Sequence, residues 1–264
     1  MTLRGVVLIL FFHYQLQGQI RVLDSLPLDV SVSIWNVDEL GYLYLLKDRE
    51  LIKLDTNRKI QFKQSIKSLG YINQIEFINA QKVLLFSMEQ QQITLFDNTL
   101  TNNGLNLDLT DLGFSNVAFI SGSSRPNLIW MYDQFNSSIV LFDIYRKEIV
   151  QNISNFKGIL QINEEILKIE ELENNLYIYT SKELVKLDLN LNLIKTFERS
   201  SSLATLLEGD LVVDIQNGVL TCFNLMNEAN TSISFPIKKP IKILQAGTFI
   251  FVQNEDFLYT LKIE

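Results

Sequence analysis

Acidic side chains supply most of the chemistry that this sequence could perform. Asp55, Asp97, Asp143 and Asp188 each close an apolar run, and Glu76, Glu170 and Glu171 interrupt others. Carboxylates in such numbers could hold a divalent cation together with backbone oxygens, or act as general acid and base. No Asp-x-Asn/Asp-x loop with a suitably placed Gly accompanies them. The four Asp residues fall where an apolar run gives way to a polar turn, a position where an Asp side chain bonds back to the following amides. Turn capping is therefore expected of them, and solvated or channel-facing charge of the three Glu residues. No metal ligand and no cofactor is assigned.

The missing residue types exclude more than the present ones suggest. The chain has one His, His13, and one Cys, Cys222. His13 lies in a segment that reads as an export signal, so a processed chain would carry none. Cys222 sits in the apolar run VLTCF with no basic neighbour to activate it, and a structural thiol is expected. Ser-His-Asp and Cys-His catalysis, an internal disulfide, and zinc sites built on His or several Cys are excluded. A non-catalytic protein is expected, with carboxylate-only chemistry as the open alternative. The net charge is −7, and no Lys/Arg run interleaves with aromatics, so nucleic acid is not an expected partner.

The elements that must position these residues recur along the chain. Residues 41–55 (GYLYLLKDRELIKLD), 82–97 (KVLLFSMEQQQITLFD), 127–143 (NLIWMYDQFNSSIVLFD) and 175–188 (NLYIYTSKELVKLD) repeat one pattern of strand, polar turn, strand and terminal Asp. Weaker copies lie at 210–224 and 248–262. The copies end roughly 36 to 46 residues apart, the length of one propeller blade of four strands. An apolar segment precedes each copy (31–37, 72–78, 116–120, 166–172, 203–207, 241–244) and would line a central channel. More polar segments suited to an outer edge follow five of them (60–65, 105–109, 148–153, 193–198, 231–235).

The sixth copy runs out of chain before its outer strand. Residues 20–26 (IRVLDSL) are strand-like and unassigned, and pairing them with the last blade closes the ring. The fold class read from this pattern is all-β: a six-bladed β-propeller, four antiparallel strands per blade, closed by the N-terminal strand. One stretch is ambiguous. Ile159, Ile162, Ile166 and Ile169 are spaced three and four apart, as on an amphipathic helix, whereas the repeat phase asks for a strand at 166–172. The strand is expected, with the helix as alternative.

Ahead of the repeats, Arg4, the apolar run 5–12 (GVVLILFF) and Leu16-Gln17-Gly18 have the order of a signal peptide. The expected division is a signal at 1–18 and a single propeller domain at 19–264. The apolar run falls far short of the ~20 residues of a membrane span, so an integral membrane protein is not expected. Candidate binding residues gather on one face of such a ring, where the turns within the strand pairs meet the links between blades. Arg49, Asp133, Phe135 and Asn254 lie in the former, and Tyr71, Phe114 and Phe156 beside Gly residues in the latter. Together they are read as a partner-binding face, with aromatics and Arg as anchors. The alternative is that the aromatics fold inward and cover the blade ends. Trp35 and Trp130, within strands, are expected in the core.

The texture xLYxLxxxxLxKLD, across essentially the whole chain after residue 18, resembles the NHL- and PQQ-like propeller repeats. The chain lacks the Trp-Asp, kelch, Tyr-Trp-Thr-Asp, Asp-box and PQQ signatures, so no subfamily function carries over. A His-poor, Asn/Ile/Leu/Lys-rich propeller behind a signal ending in Gly-Gln is similar to the small exported propellers of Bacteroidota, and in size and texture to the plug family of the type 9 secretion translocon. That resemblance implies a rigid disc in the periplasm, peripherally associated with the outer membrane. There it would occlude the opening of a large translocon barrel. A divalent-metal-dependent propeller hydrolase or lactonase, of the kind found in the gluconolactonase-like group, and an envelope glycan- or peptide-binding module are the alternative expectations.

Overall fold

The computed structural model describes residues 20–29, 31–199, 205–207, 211–216, 219–225 and 229–263. The export segment read at 1–18 lies outside them. The described strands form six four-stranded antiparallel sheets. The first blade holds β2 (Val32–Val37), β3 (Leu43–Lys47), β4 (Glu50–Leu54) and β5 (Ile60–Ser65). The second holds β6 (Gln74–Asn79), β7 (Lys82–Ser87), β8 (Gln92–Asp97) and β9 (Asn102–Asp108), and the third β10 (Val117–Gly122), β11 (Leu128–Asp133), β12 (Ser138–Asp143) and β13 (Glu148–Ile153). The fourth comprises β14 (Ile166–Leu172), β15 (Asn175–Thr180), β16 (Glu183–Asp188) and β17 (Leu193–Glu198). The fifth comprises β18 (Thr205–Leu207), β19 (Leu211–Gln216), β20 (Val219–Asn224) and β21 (Asn230–Ser234). The last blade is built from β22 (Lys242–Ala246), β23 (Phe249–Gln253), β24 (Phe257–Ile263) and β1 (Ile20–Pro27).

The ring closes as expected, by the N-terminal strand. β1 runs antiparallel to β24 from the pair Ile20 and Ile263 to the pair Pro27 and Phe257, with a bulge between Val22 and Asp24. Pairing in this way leaves β24 no open edge, the usual route to aggregation in sheet proteins. Blades stack face to face, so the middle strands are covered on both sides. β11 is buried at every position, which explains why the middle strands read as continuous apolar runs rather than alternating ones. The outer strands are wet: Ile60, Gln61, Phe62 and Lys63 of β5 are all exposed. Separate apolar clusters fill the seams between blades, such as Trp130, Leu141, Ile178 and Val185 between the third and fourth.

The inner strands do not pair with each other, so their outward backbone groups need other partners. Long amide side chains supply two of them. Gln74 accepts from the Ile120 N–H (2.9 Å) and donates to the Ile120 carbonyl (3.3 Å). Gln91 does the same for Val117, at 2.7 and 3.0 Å. At Gly122 the strands come so close that a Cβ would stand 1.9 Å from the Phe77 carbonyl oxygen, leaving room for glycine alone.

The ambiguous stretch resolves as the expected strand, and a helix reaches only the first of the four isoleucines. α1 is a single turn, Phe156–Ile159, and Ile166–Leu172 is strand β14. A register shift between Ile166 and Lys168 lets Ile166 and Ile169 both reach the core although they are three apart. That bulge imitated a helical spacing. The strand-terminal acids cap turns, as their position implied. Asp55 Oδ1 accepts from the Asn57 and Lys59 amides at 2.9 and 2.8 Å, and Asp97 from Thr99 and Thr101 at 2.8 and 2.9 Å. Asp143 holds Tyr145 and Arg146, and Asp188 holds Asn190 and Asn192, in the same way. Bonds from Asn192 keep the Asp188 carboxyl below the usual carboxylate range.

Candidate binding face and central channel

Two kinds of loop share each flat side of the ring. On one side, links between blades bond to the hairpin turns joining second and third strands. The Ile66 amide donates to the Arg49 carbonyl (2.9 Å), Gln134 to Asn116 (2.8 Å), Phe156 to Ser137 (2.9 Å) and Ile241 to Gln253 (2.7 Å). The Asp-capped turns lie on the other side, with the loops joining first and second strands.

All seven candidate residues belong to the first side, but they do different work. Phe114 and Phe156 are buried, packed edge-on against Phe142 at 5.7 Å and Tyr132 at 5.5 Å in the seams between blades. For these two the inward-folding alternative holds, and they cannot anchor a partner. Asp133 is buried too. Its carboxylate accepts from the Phe135 amide (3.1 Å) and Asn136 Nδ2 (2.7 Å), and so shapes the turn that lifts Phe135 outward. Asn254 Oδ1 likewise accepts from the Asp256 and Phe257 amides (3.0 and 2.8 Å). Arg49, Tyr71 and Phe135 remain exposed, Tyr71 by 57% and Phe135 by 76%. Trp35 and Trp130 are buried in the core, as expected.

Sequence reasoning missed further apolar residues on the same side. Met88 in a hairpin turn, Ile159 at the end of α1, Leu167 at the start of β14, Val219 at a hairpin end and Ile241 in a blade link are all exposed. On the opposite side the exposed large apolar side chains among the described residues are Leu40 and Tyr145. Others, including Phe62, Ile149 and Leu193, lie on the outer strands. The signal that could have found Met88 and Ile241 was their place in the same turns and links that nominated Phe135 and Tyr71.

The central channel opens on this side. Its cavity of about 370 Å³ is lined by the inner strands and by Asn73, Arg199 and Ile241 from the links. Charge is concentrated there. Lys168 Nζ and the Tyr179 hydroxyl both bond Glu170 Oε2 at 2.8 Å. Lys242 Nζ donates to the Trp35 carbonyl (2.6 Å) and lies 4.4 Å over the Trp35 ring. Burial pushes the Glu76 carboxyl up to about 8 and the Lys242 ammonium down to about 8. Glu76 and Glu170 thus face the channel, as read from the sequence. Glu171 instead joins two blades, accepting from Ser123 Oγ (2.7 Å), the Ser124 amide (2.8 Å) and Trp130 Nε1 (2.6 Å). Arg199 is a channel residue that the sequence reading passed over, and Lys242 lies in the inner segment 241–244 without having been singled out. Among the described residues no three His, Cys, Asp or Glu side chains converge in a way that could hold a metal ion. Cys222 is half-buried, and burial raises its thiol pKa.

No protein-family model matches the chain, and no curated protein matches its sequence. Solved propellers match its fold. A streptogramin B lyase structure superposes with a TM-score of 0.63 at 9% identity, covering 93% of this chain and 95% of that one. The Pan2 WD40 domain of Neurospora crassa gives 0.62 at 9% identity, with coverage of 93% and 95%. A protein of unknown function from Bacteroides caccae gives 0.53 at 11% identity, covering 77% and 78%. At these identities the likeness establishes the β-propeller fold and nothing finer. No helix among the described residues is long and apolar enough to cross a membrane.

Proposed function

We propose that this protein is a non-catalytic binding propeller of the periplasm, which docks a protein partner through the face bearing Arg49, Tyr71 and Phe135. In its sharpest form the proposal is a disc seated on the periplasmic opening of a large outer-membrane translocation barrel. The observation that carries the reading is the unequal distribution of exposed apolar side chains. Tyr71, Met88, Phe135, Ile159 and Ile241 stand on one face, against Leu40 and Tyr145 on the other. A docking surface of this kind combines aromatic anchors with a polar rim, here supplied by Arg49, Lys67, Glu89 and Lys182, all exposed. The seams beneath are filled with buried side chains, so the face is a rigid platform that needs no ordering on contact. A stable seat would bury on the order of 1,200–2,000 Å² in all.

The test is capture of the partner from gently solubilised envelopes of the native host with tagged wild type, Phe135→Asp, Tyr71→Asp and, on the opposite face, Leu40→Asp. Wild type and Leu40→Asp are expected to retain one outer-membrane barrel in stoichiometric amount. Each face variant should lose about 30-fold in affinity, the effect of removing a hot-spot aromatic. Equal recovery by all four proteins, or no membrane partner with wild type, would sink the proposal.

A further inference from the structure

We infer that the mouth of the central channel is a binding site for a carboxylate. Five charged side chains line the cavity: Lys168, Arg199 and Lys242 against Glu76 and Glu170. Glu170 is already engaged internally, by Lys168 and Tyr179 on the same oxygen. Glu76 faces Gln74 Nε2 at 3.4 Å, and its raised pKa leaves it largely uncharged at neutral pH. Among the described residues no carboxylate comes within ion-pair distance of Lys242, which donates to the Trp35 carbonyl. An ammonium group has three donors, so that bond leaves capacity for an incoming anion.

Cationic side chains outnumber carboxylates in the cavity lining, three to two, in a chain whose net charge is −7. A concave site with low-dielectric walls focuses such a field and draws in anions. Its volume, about 370 Å³, lies within the range of small-ligand sites. Asn36 and Ser121 flank the cations, held in place by bonds to the Ile75 and Gly122 carbonyls (2.6 and 3.2 Å), while Trp35 and Phe119 provide apolar wall. The carboxylate could come from a free small acid or from an acidic side chain inserted by a docked protein. The site goes beyond the docking proposal and does not depend on it, because its test uses the isolated chain.

The experiment is calorimetric titration of the purified protein with succinate and with a glutamate blocked at both backbone ends, followed in parallel by tryptophan fluorescence in a Trp130→Phe background, where Trp35 is the remaining indole. Glutamine blocked in the same way is the uncharged control. Binding of succinate alone identifies a free-acid site, and preferential binding of the blocked glutamate identifies a side-chain site. Either should weaken at least tenfold in Lys242→Met, with the melting temperature checking that the variant folds. Blocked glutamine is expected to bind at least tenfold more weakly than blocked glutamate to wild type, a comparison that needs no variant. The inference is overturned by equal binding of the two blocked amino acids, by indifference of a folded Lys242→Met, or by no binding of either acid up to about 10 mM.

Discussion

Glu171→Leu is expected to lower the free energy of unfolding by about 2–6 kcal/mol, the cost of leaving two buried donors unsatisfied. The side chain arises from β14 and is held by Ser123, Ser124 and Trp130 of the preceding blade. Leucine keeps water out while supplying no acceptor, so the indole N–H and the Ser123 hydroxyl are stranded, each at about 1–3 kcal/mol. Burial raises the Glu171 pKa, but the hydrogen bonds outweigh it and leave the carboxyl below its ordinary value of 4.5. A depressed folded pKa means that the unfolded chain binds the proton more readily. The contribution of Glu171 is then complete above the unfolded value and is lost as pH falls through the folded one. Urea unfolding of wild type should therefore weaken below about pH 4, by more than it does in Glu171→Leu. A cost under about 1 kcal/mol at neutral pH would show that the carboxylate does not join the blades.

Arg58→Leu should act in the opposite direction, raising stability by about 1–3 kcal/mol, the cost of a buried donor left without an acceptor. The third residue after the turn Asp is left-handed in three blades, at Arg58 (φ 64°), Leu100 (φ 62°) and Leu191 (φ 64°). Leu100 and Leu191 are buried wedges between blades. Arg58 occupies the corresponding place in the seam that closes the ring, over Phe251 and beside Thr260, with its side chain only 10% exposed. Asp24 of the closing strand lies 3.5 Å away but is itself half in water, and Arg58 Nη1 is buried without an acceptor. Burial pulls the guanidinium pKa down. Leucine adopts this backbone conformation twice in the same protein, so the exchange adds no strain and removes a poorly paired buried charge. Chemical denaturation measures the change. A loss of more than about 1 kcal/mol would mean that the tie to Asp24 outweighs the cost of burial.

The repeat made much of this legible in advance. Middle strands announced themselves as apolar runs, the Asp caps by their position, and closure by the unassigned strand at 20–26. What stayed hidden was decided between blades. Phe114 and Phe135 both sit in loops on one face, yet a neighbouring blade covers the first and leaves the second in water. Lys242 lies in the segment 241–244 expected at the channel, but a single strand does not tell that its ammonium would share a cavity with Glu76 and Lys168 from other blades. The isoleucines at 166 and 169 imitated a helix because a bulge is invisible in a hydrophobic pattern.

The most direct test of the docking face is photo-crosslinking in the native host, with a crosslinking amino acid placed singly at Tyr71, Phe135, Leu40 or Tyr145. Adducts to one outer-membrane barrel from positions 71 and 135, and none from 40 and 145, are the predicted result. Adducts from both faces alike, or from positions 40 and 145 alone, would contradict it.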